Sequence, residues 1–156
     1  MRPSRVDKND PKVTVLREVP GLAGLPSREL LSLASLFDEA RLEEGAVLTR
    51  EGDTGRELFL IVDGEALVSL RGDDVATVGP GEFVGEMAMF EHAPRSATVT
   101  ALTPVQVLVA GAGSFGTLLA HPAVLRHLAT TMAGRLRAAQ GSPERWSAGY
   151  PPSAVA

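Results

Sequence analysis

Between Phe37 and Ala110 the chain alternates short runs of β-branched and other apolar residues with glycine-containing turn signals. This alternation is typical of a small antiparallel barrel or roll, because short strands that share one core have to be joined by tight turns. The dipeptide Asp63-Gly64 between two apolar runs predicts a β-hairpin. The predicted strands are residues 37–42, 46–49, 57–63, 65–70, 74–78, 96–102 and 105–110.

Helical patterns flank this region on both sides. Residues 13–36 predict short helices, the second of them capped by Ser27. Ser114 is predicted to cap another short helix, and Pro122 to begin a longer one that ends near Gln140. The sequence therefore predicts a mainly β fold of the α+β class. It is an antiparallel β-roll or jelly-roll barrel with flanking N-terminal helices and two C-terminal helices.

The bulk composition predicts one domain with two tails. Residues 1–12 are charged and are expected to form a mobile arm, residues 13–140 to form the domain, and residues 141–156 to form a disordered tail rich in Pro, Ser, Gly and Ala. The net charge of −4 argues against a nucleic-acid-binding surface, and the absence of cysteine excludes disulfides and thiolate chemistry. Without a signal peptide or a long apolar run, the expected location is cytoplasmic.

Residues 83–101 carry the groups that an anion pocket needs. Gly85 and Glu86 open a very short helical turn, whose first N–H groups have no partner within the helix. Arg95 offers a fork of charged donors to an anion, and Ser96 adds a hydroxyl. The absence of a side chain at Gly85 lets the backbone approach a ligand closely. This combination predicts a pocket for a small cyclic phosphodiester.

The same segment resembles the phosphate-binding cassette of cyclic-nucleotide-binding domains. Residues 51–66 resemble the earlier barrel signature of that family, and the flanking helices match as well, so that the resemblance covers residues 13–140. It implies that Gly85 and Glu86 hold the ribose. It also implies that the phosphate is held by Arg95, Ser96 and the amides of Met87, Ala88 and Ala97.

The resemblance also implies which residues contact the base of the nucleotide. Val68, Val75 and Val84 would line the base side of the barrel, and Arg135 on the last helix would contact the base as that helix closes over it. The family's bacterial activators read adenine with a threonine–serine pair, where this chain has Ala139-Gln140, so that mode of reading is not expected here.

The identity of the nucleotide follows from one position. In the eukaryotic kinases of the family, a threonine after the cassette arginine favours cGMP and an alanine favours cAMP. Ser96 is neither, but bacterial cAMP-binding members often carry serine there. The expected ligand is therefore cAMP, with cGMP as the alternative.

The expected function is a regulatory sensor whose last helix responds to the nucleotide. No DNA-reading or catalytic unit is recognised in the chain, so we expect a protein partner acting in trans, no direct DNA binding and no enzyme activity. The alternative is a protein-interaction module of the same fold that no longer binds nucleotide. An apolar stripe on the last helix is expected to pack as core or lid, or to form a homodimer seam. Its residues are Leu125, Leu128, Met132 and Leu136.

Two further patterns predict no site of their own. Residues 111–116 fit Gly-x-Gly-x-x-Gly, but no acidic residue follows before Pro143 and no strand completes a dinucleotide-binding unit. They are expected to form a corner between the barrel and the helices. The three histidines, His92, His121 and His127, lack the spacing of metal ligands.

Overall fold

The structure, a computed structural model, describes the backbone of residues 10–140 and the side chains of residues 10–134 and 137. Two α-helices precede the strands, α1 (Pro11–Glu18) and α2 (Ser27–Ala34), and two follow them, α3 (Phe115–Leu119) and α4 (Pro122–Gln140). Because α1 begins at Pro11, the last residues of the predicted N-terminal arm belong to a helix. Residues 1–9 of that arm and the predicted C-terminal tail lie outside the described residues.

The described chain contains eight strands and two short 3₁₀ helices. The 3₁₀ helices are η1 (Glu86–Met89) and η2 (Ala112–Ser114). The strands are β1 (Asp38–Leu42), β2 (Val47–Thr49), β3 (Leu58–Asp63), β4 (Ala66–Leu70), β5 (Asp73–Val78), β6 (Phe83–Val84), β7 (Thr98–Ala101) and β8 (Val105–Ala110). All but the two-residue β6 coincide with a predicted run, which confirms the mainly β assignment.

The strands form two antiparallel four-stranded sheets that face each other. The first sheet has the order β1-β8-β3-β6 and the second has the order β2-β7-β4-β5. Successive strands therefore alternate between sheets in several places, as in a jelly roll, and the sheets form an open roll rather than a closed barrel.

Strand β3 of the first sheet is buried on both faces. Leu58 and Leu60 on β3 face the helices, where Leu30, Leu118 and Leu128 join the same apolar cluster. The alternate residues of the strand, Phe59 and Ile61, face the second sheet and belong to a separate cluster. This arrangement explains why β3 has a continuous apolar run rather than an alternating one, because both of its faces need apolar side chains.

Two local predictions from the sequence are wrong. Ser27 is the first residue of α2 and not its cap; Pro26 holds the cap position, and the Ser27 hydroxyl accepts a hydrogen bond from Arg17 at 3.0 Å. Asp63-Gly64 does not join a hairpin, since β3 and β4 lie in different sheets. The turn carries the chain from one sheet to the other because β3 finds its hydrogen-bonding neighbours in β6 and β8.

The long helix α4 packs through a stripe that includes Leu128 of the predicted set but contains Val124 in place of Leu125. Val124 and Leu128 are 2% exposed and belong to the cluster under the helices, whereas Leu125 is 45% exposed. Met132 is half-buried, and the side chain of Leu136 lies outside the described part. His127 connects the helix to the turn between β5 and β6, since its Nε2 lies 3.2 Å from the carbonyl oxygen of Gly81.

The helices from residue 10 to residue 140 include none that is both long enough and apolar enough to cross a membrane.

Candidate functional site

Two connections between the sheets run side by side and build the candidate site. Residues 50–57, the arginine loop, lead from β2 to β3, and residues 85–97, the cassette segment, lead from β6 to β7. Phe59 pairs with Val84, and Thr49 pairs with Val99, so both connections leave the sheets at the same end. The antiparallel register therefore brings the two segments together although they are far apart in sequence.

Arg95 lies between these two segments. Its residue is only 8% exposed. Its Nη2 donates to the carbonyl oxygen of Glu57 at 2.8 Å, and its Nη1 donates to the carbonyl oxygen of Gly85 at 3.4 Å. Two hydrogen bonds hold the backbone of Arg95 as well. Its amide donates to the Asp53 carbonyl at 2.8 Å, and its carbonyl accepts from the Gly52 amide at 2.9 Å. The guanidinium is thus held in one place by the arginine loop and by the start of the cassette segment.

The charge of Arg95 persists in spite of its burial. Burial lowers the pKa of Arg95 below its usual value, because desolvation disfavours the charged form. The carboxylates of Glu57 and Glu86 act in the opposite direction and raise that pKa. Arginine keeps its proton in proteins at any ordinary pH, so the site holds a permanent, partly desolvated cation.

The 3₁₀ helix η1 places Glu86 beside this cation. Gly85, with φ of 88°, precedes the helix in a left-handed conformation that favours glycine. Glu86 is 3% exposed. The amide of Ala88, which the resemblance assigns to the phosphate, donates to the Gly85 carbonyl at 3.1 Å. A role for that amide in binding an anion would therefore require it to share or exchange this bond.

A cavity opens at the cassette segment and contains several of the predicted residues. Its volume is about 110 Å³, and it is lined by Gly85, Met87, Ala88, Glu91, Ala93, Pro94, Arg95 and Ser96. This volume is below the roughly 300–1,000 Å³ of pockets that enclose a whole drug-sized ligand. The cavity has room for a phosphate group, and the rest of a nucleotide would extend out of it.

The remaining predicted residues lie outside that lining. Ala97 is fully buried, and its carbonyl accepts a hydrogen bond from the Thr49 hydroxyl at 3.1 Å. Val68 and Val84 are buried in the cluster between the sheets, and Val75 packs against that cluster. Arg135 belongs to α4, but its side chain lies outside the described part. Four of the five residues predicted to hold the phosphate, Met87, Ala88, Arg95 and Ser96, therefore line one cavity. Ala97 and Glu86 do not line it, and the three valines predicted for the base side belong to the cluster between the sheets.

The sequence interpretation missed the contribution of the arginine loop. Nothing in the pattern of residues 50–57 pointed to the Glu57 carbonyl as an anchor for Arg95, because a backbone acceptor carries no signature in sequence. It also missed Glu91, whose exposed side chain lines the cavity. The neighbourhood of Arg95 thus carries more negative charge than the motif alone suggested.

A larger cavity of about 340 Å³ lies at the opposite end of the first sheet and contains none of the predicted residues. Its charged lining residues, Arg41, Glu43 and Asp63, are all exposed. Exposed charges are well solvated and hold a ligand weakly. We therefore place the candidate site at the cassette segment, where a charged side chain is buried. Residues 10–140 contain no group of three or more acidic or histidine side chains placed to hold a metal ion.

Known proteins share this sequence pattern and this architecture. The cAMP-dependent protein kinase regulatory subunit of Yarrowia lipolytica is 39% identical over 115 residues, which are 72% of this chain and 30% of that protein. A cAMP-binding acyltransferase from Mycobacterium smegmatis is 30% identical in sequence, with a TM-score of 0.71 over 81% of this chain and 41% of that one. The regulatory subunit of a cAMP-independent protein kinase A from Trypanosoma brucei is 28% identical, with a TM-score of 0.69 over 78% of this chain and 46% of that one.

The similarity is confined to one part of these relatives. This chain spans 30%, 27% and 22% of three fungal kinase regulatory subunits that it resembles. The profile of the cyclic nucleotide-binding domain matches residues 39–121, more than half of this chain. That stretch includes the arginine loop, the cassette segment and all of the strands but the first residue of β1. The chain therefore belongs to the cyclic nucleotide-binding domain family.

Proposed function

We propose that this chain is a cAMP sensor in which the nucleotide occupies the cassette segment and α4 carries the response to a protein partner. The single observation that carries the proposal is the buried guanidinium of Arg95, held 2.8 Å from the Glu57 carbonyl at the edge of a phosphate-sized cavity. Burying a cation costs free energy unless the cation is hydrogen-bonded and paired with an anion. A cyclic phosphate would supply an anion that the guanidinium can bind directly.

The phosphate would lie between Arg95 and Ser96, which both line the cavity. Two N–H groups of the guanidinium already donate to backbone carbonyls, and the guanidinium has five in all, so donors remain for phosphate oxygens. A hydrogen bond to a charged group contributes about 1.5–3 kcal/mol net. Two or three such bonds together with burial of the base would approach the roughly 8 kcal/mol that micromolar binding needs.

The ribose and the base would extend from this point in two directions. Glu86, next to Arg95, would accept a hydrogen bond from the ribose 2′-hydroxyl, which would anchor the sugar. The base would lie on the side of the sheets that carries Val68, Val75 and Val84, and Arg135 on α4 would contact its outer side. The names of the kinase relatives support cAMP as the nucleotide, and Ser96 at the position after the arginine is compatible with it.

The response would reach α4 through η1. Ala88 lines the cavity and also belongs to the apolar cluster under the helices, where Leu128 of α4 lies. Any shift of η1 on binding the nucleotide would therefore change the packing of α4. A ligand that prefers one position of this helix shifts the population toward it. The exposed Leu125 on the same helix supports the proposal of a homodimer or partner contact through α4.

The chain would act on a protein rather than on DNA or a substrate of its own. The net charge of −4 supports this part of the proposal, because DNA-binding surfaces are basic. The kinase relatives are named regulatory subunits, which supports regulation of a separate catalytic chain. The mycobacterial acyltransferase, in contrast, combines the similar region with catalytic activity in one protein.

Calorimetric titration tests the proposal directly. The purified chain would be titrated with cAMP and separately with cGMP, alongside the variants Arg95→Ala and Arg28→Ala. Arg28 is an exposed arginine on α2 and serves as the matched control. We expect saturable binding of cAMP that Arg95→Ala abolishes and Arg28→Ala leaves intact. Absence of binding by the wild-type chain, together with an unchanged melting temperature, would contradict the proposal.

Amide hydrogen exchange tests the response of α4 separately. We expect saturating cAMP to increase protection in residues 122–140, because closure would shield the helix and reduce its opening. Protection that increases only in the cassette segment would retain the binding site but refute α4 as the responding element.

A second candidate function is a regulatory module of the same fold that binds its partner without a nucleotide. The observation that favours it is the trypanosomal relative, whose name describes a cAMP-independent kinase. This alternative predicts that Arg95→Ala leaves partner binding intact and that neither nucleotide alters the melting temperature. Wild-type binding of cAMP would exclude it.

A further inference from the structure

The guanidinium of Arg95 lies in a slot whose two walls are glycines. A Cβ atom added at Gly85 would lie 2.6 Å from Nη1, and one added at Gly55 would lie 2.7 Å from Nε and 3.1 Å from Nη2. Real Cβ atoms essentially never come within 3.0 Å of another atom in this way, and a contact of 3.1 Å is already tight. Any side chain at either position would therefore have to displace the guanidinium, so both glycines leave room for it.

The two glycines differ in their backbone conformation. Gly85 has φ of 88°, a left-handed conformation that favours glycine whatever lies nearby. Gly55 is not among the glycines with positive φ, which means that alanine can adopt its backbone conformation. What Gly55 provides is therefore the close approach of the guanidinium rather than an unusual turn.

We propose that Gly55 is a positioning residue for Arg95 and that the arginine loop, which does not itself line the cavity, holds the guanidinium in the direction that anion binding needs. The inference rests on the proposed function and extends it to a segment outside the cassette. The loop would fix the direction of the guanidinium before a phosphate arrives, so that binding does not have to order this side chain.

Three hydrogen bonds support this role of the loop. The Gly52 amide donates to the Arg95 carbonyl at 2.9 Å, and the Arg95 amide donates to the Asp53 carbonyl at 2.8 Å. The guanidinium donates to the Glu57 carbonyl at 2.8 Å. Both the backbone and the tip of Arg95 are thus fastened to the loop, and Gly55 lies between the two attachment points. The methyl group of an alanine at residue 55 would separate the guanidinium from the Glu57 carbonyl, while the two backbone hydrogen bonds of Arg95 remained.

The substitution Gly55→Ala would consequently affect binding more than folding. The clashing atoms belong to the end of a flexible side chain, which can rotate away without moving the sheets. The guanidinium would then leave the Glu57 carbonyl and point away from the phosphate. We expect the affinity for cAMP to fall about tenfold or more, the loss that follows when a charged hydrogen bond is misaligned.

The test compares Gly55→Ala with Gly111→Ala by titration with cAMP and by thermal denaturation. Gly111 has φ of −79°, and a Cβ atom there would meet nothing within 4 Å, which makes it a matched control. Both substitutions are repeated in an Arg95→Lys background, where no planar guanidinium fills the slot. We expect Gly55→Ala to lose affinity in the wild-type background but to have little further effect beside Arg95→Lys, whereas a merely structural loss would persist in both.

A measurement without nucleotide separates this inference from the proposed function. The ¹⁵Nε–H signal of Arg95 in NMR spectra of the unliganded chain reports how the guanidinium is held. We expect the sharp signal of an ordered side chain in the wild type and in Gly111→Ala. In Gly55→Ala we expect the signal to shift and broaden. An unchanged signal together with unchanged cAMP affinity would refute the positioning role. A wild-type chain that has the ordered signal but binds no cAMP would refute the proposed function and leave the positioning role supported.

Discussion

Replacing Glu86 by glutamine tests the proposed contact with the ribose. Glutamine keeps the shape of the side chain and one acceptor oxygen but removes the negative charge. Glu86 is 3% exposed, so the change acts in a poorly solvated place. A hydrogen bond to a carboxylate contributes about 1.5–3 kcal/mol, and a bond between neutral groups contributes about 0.5–1.5 kcal/mol.

The charge of Glu86 also acts on Arg95, which complicates a simple comparison of affinities. Loss of the carboxylate would make the site more attractive to a phosphate and would mask part of the loss at the ribose. The ratio of the dissociation constants of 2′-deoxy-cAMP and cAMP avoids this difficulty, because both ligands carry the same phosphate. From the energies above, we expect a ratio of about 10–150 for the wild type and about 2–10 for Glu86→Gln.

The assay is calorimetric titration of both nucleotides at 25 °C. Glu91→Gln is the control, since Glu91 is an exposed carboxylate that lines the cavity, and the ratio for this variant should equal that of the wild type. A ratio for Glu86→Gln within about threefold of the wild-type value, the equivalent of roughly 0.7 kcal/mol, would refute the reasoning. Glu86 would then serve to stabilise Arg95 rather than to bind the sugar.

Two predictions concern the fold that supports the site. Leu128→Ala should lower the free energy of unfolding in urea by about 2–5 kcal/mol, because Leu128 is 2% exposed, whereas Leu125→Ala, at a residue 45% exposed, should lower it by less than about 0.5 kcal/mol. Equal losses would contradict the observed docking of α4. Gly64→Ala should cost about 2–4 kcal/mol in thermal denaturation, because Gly64 has φ of 89° and an added Cβ would meet the Pro104 carbonyl. Gly72 has a similar φ of 83°, but an added Cβ would meet nothing within 4 Å, so Gly72→Ala should lower the free energy of unfolding by only about 1–2 kcal/mol. Equal effects of the two substitutions would mean that the contact at Gly64 is unimportant.

The secondary structure was largely predictable because its signals are local. Pro122 begins α4 as expected, and the run from Val105 to Ala110 is a strand with the predicted bounds. Each of these features depends on residue preferences within one segment. The short strand β6 escaped prediction because its two residues, Phe83 and Val84, form a strand only through pairing with β3.

The pairing of strands was not predictable in the same way. Asp63-Gly64 has the sequence of a hairpin turn, yet β3 and β4 separate into different sheets. The free energy contributed by the local turn preference is small compared with that gained when β3 buries both of its apolar faces. One face packs against the helices and the other against the second sheet. Tertiary packing therefore overrides the local signal.

The sequence by itself determined the chemical groups of the site, since Gly85, Glu86, Arg95 and Ser96 are close neighbours along the chain. Only the tertiary structure decided how Arg95 is held, because Gly55 and the Glu57 carbonyl come from a loop about 40 residues earlier. The physical reason is the antiparallel register of β3 with β6 and of β2 with β7, which makes two distant connections neighbours at one end of the sheets. A short motif specifies charges and donors, whereas their burial and direction depend on contacts between segments remote in sequence.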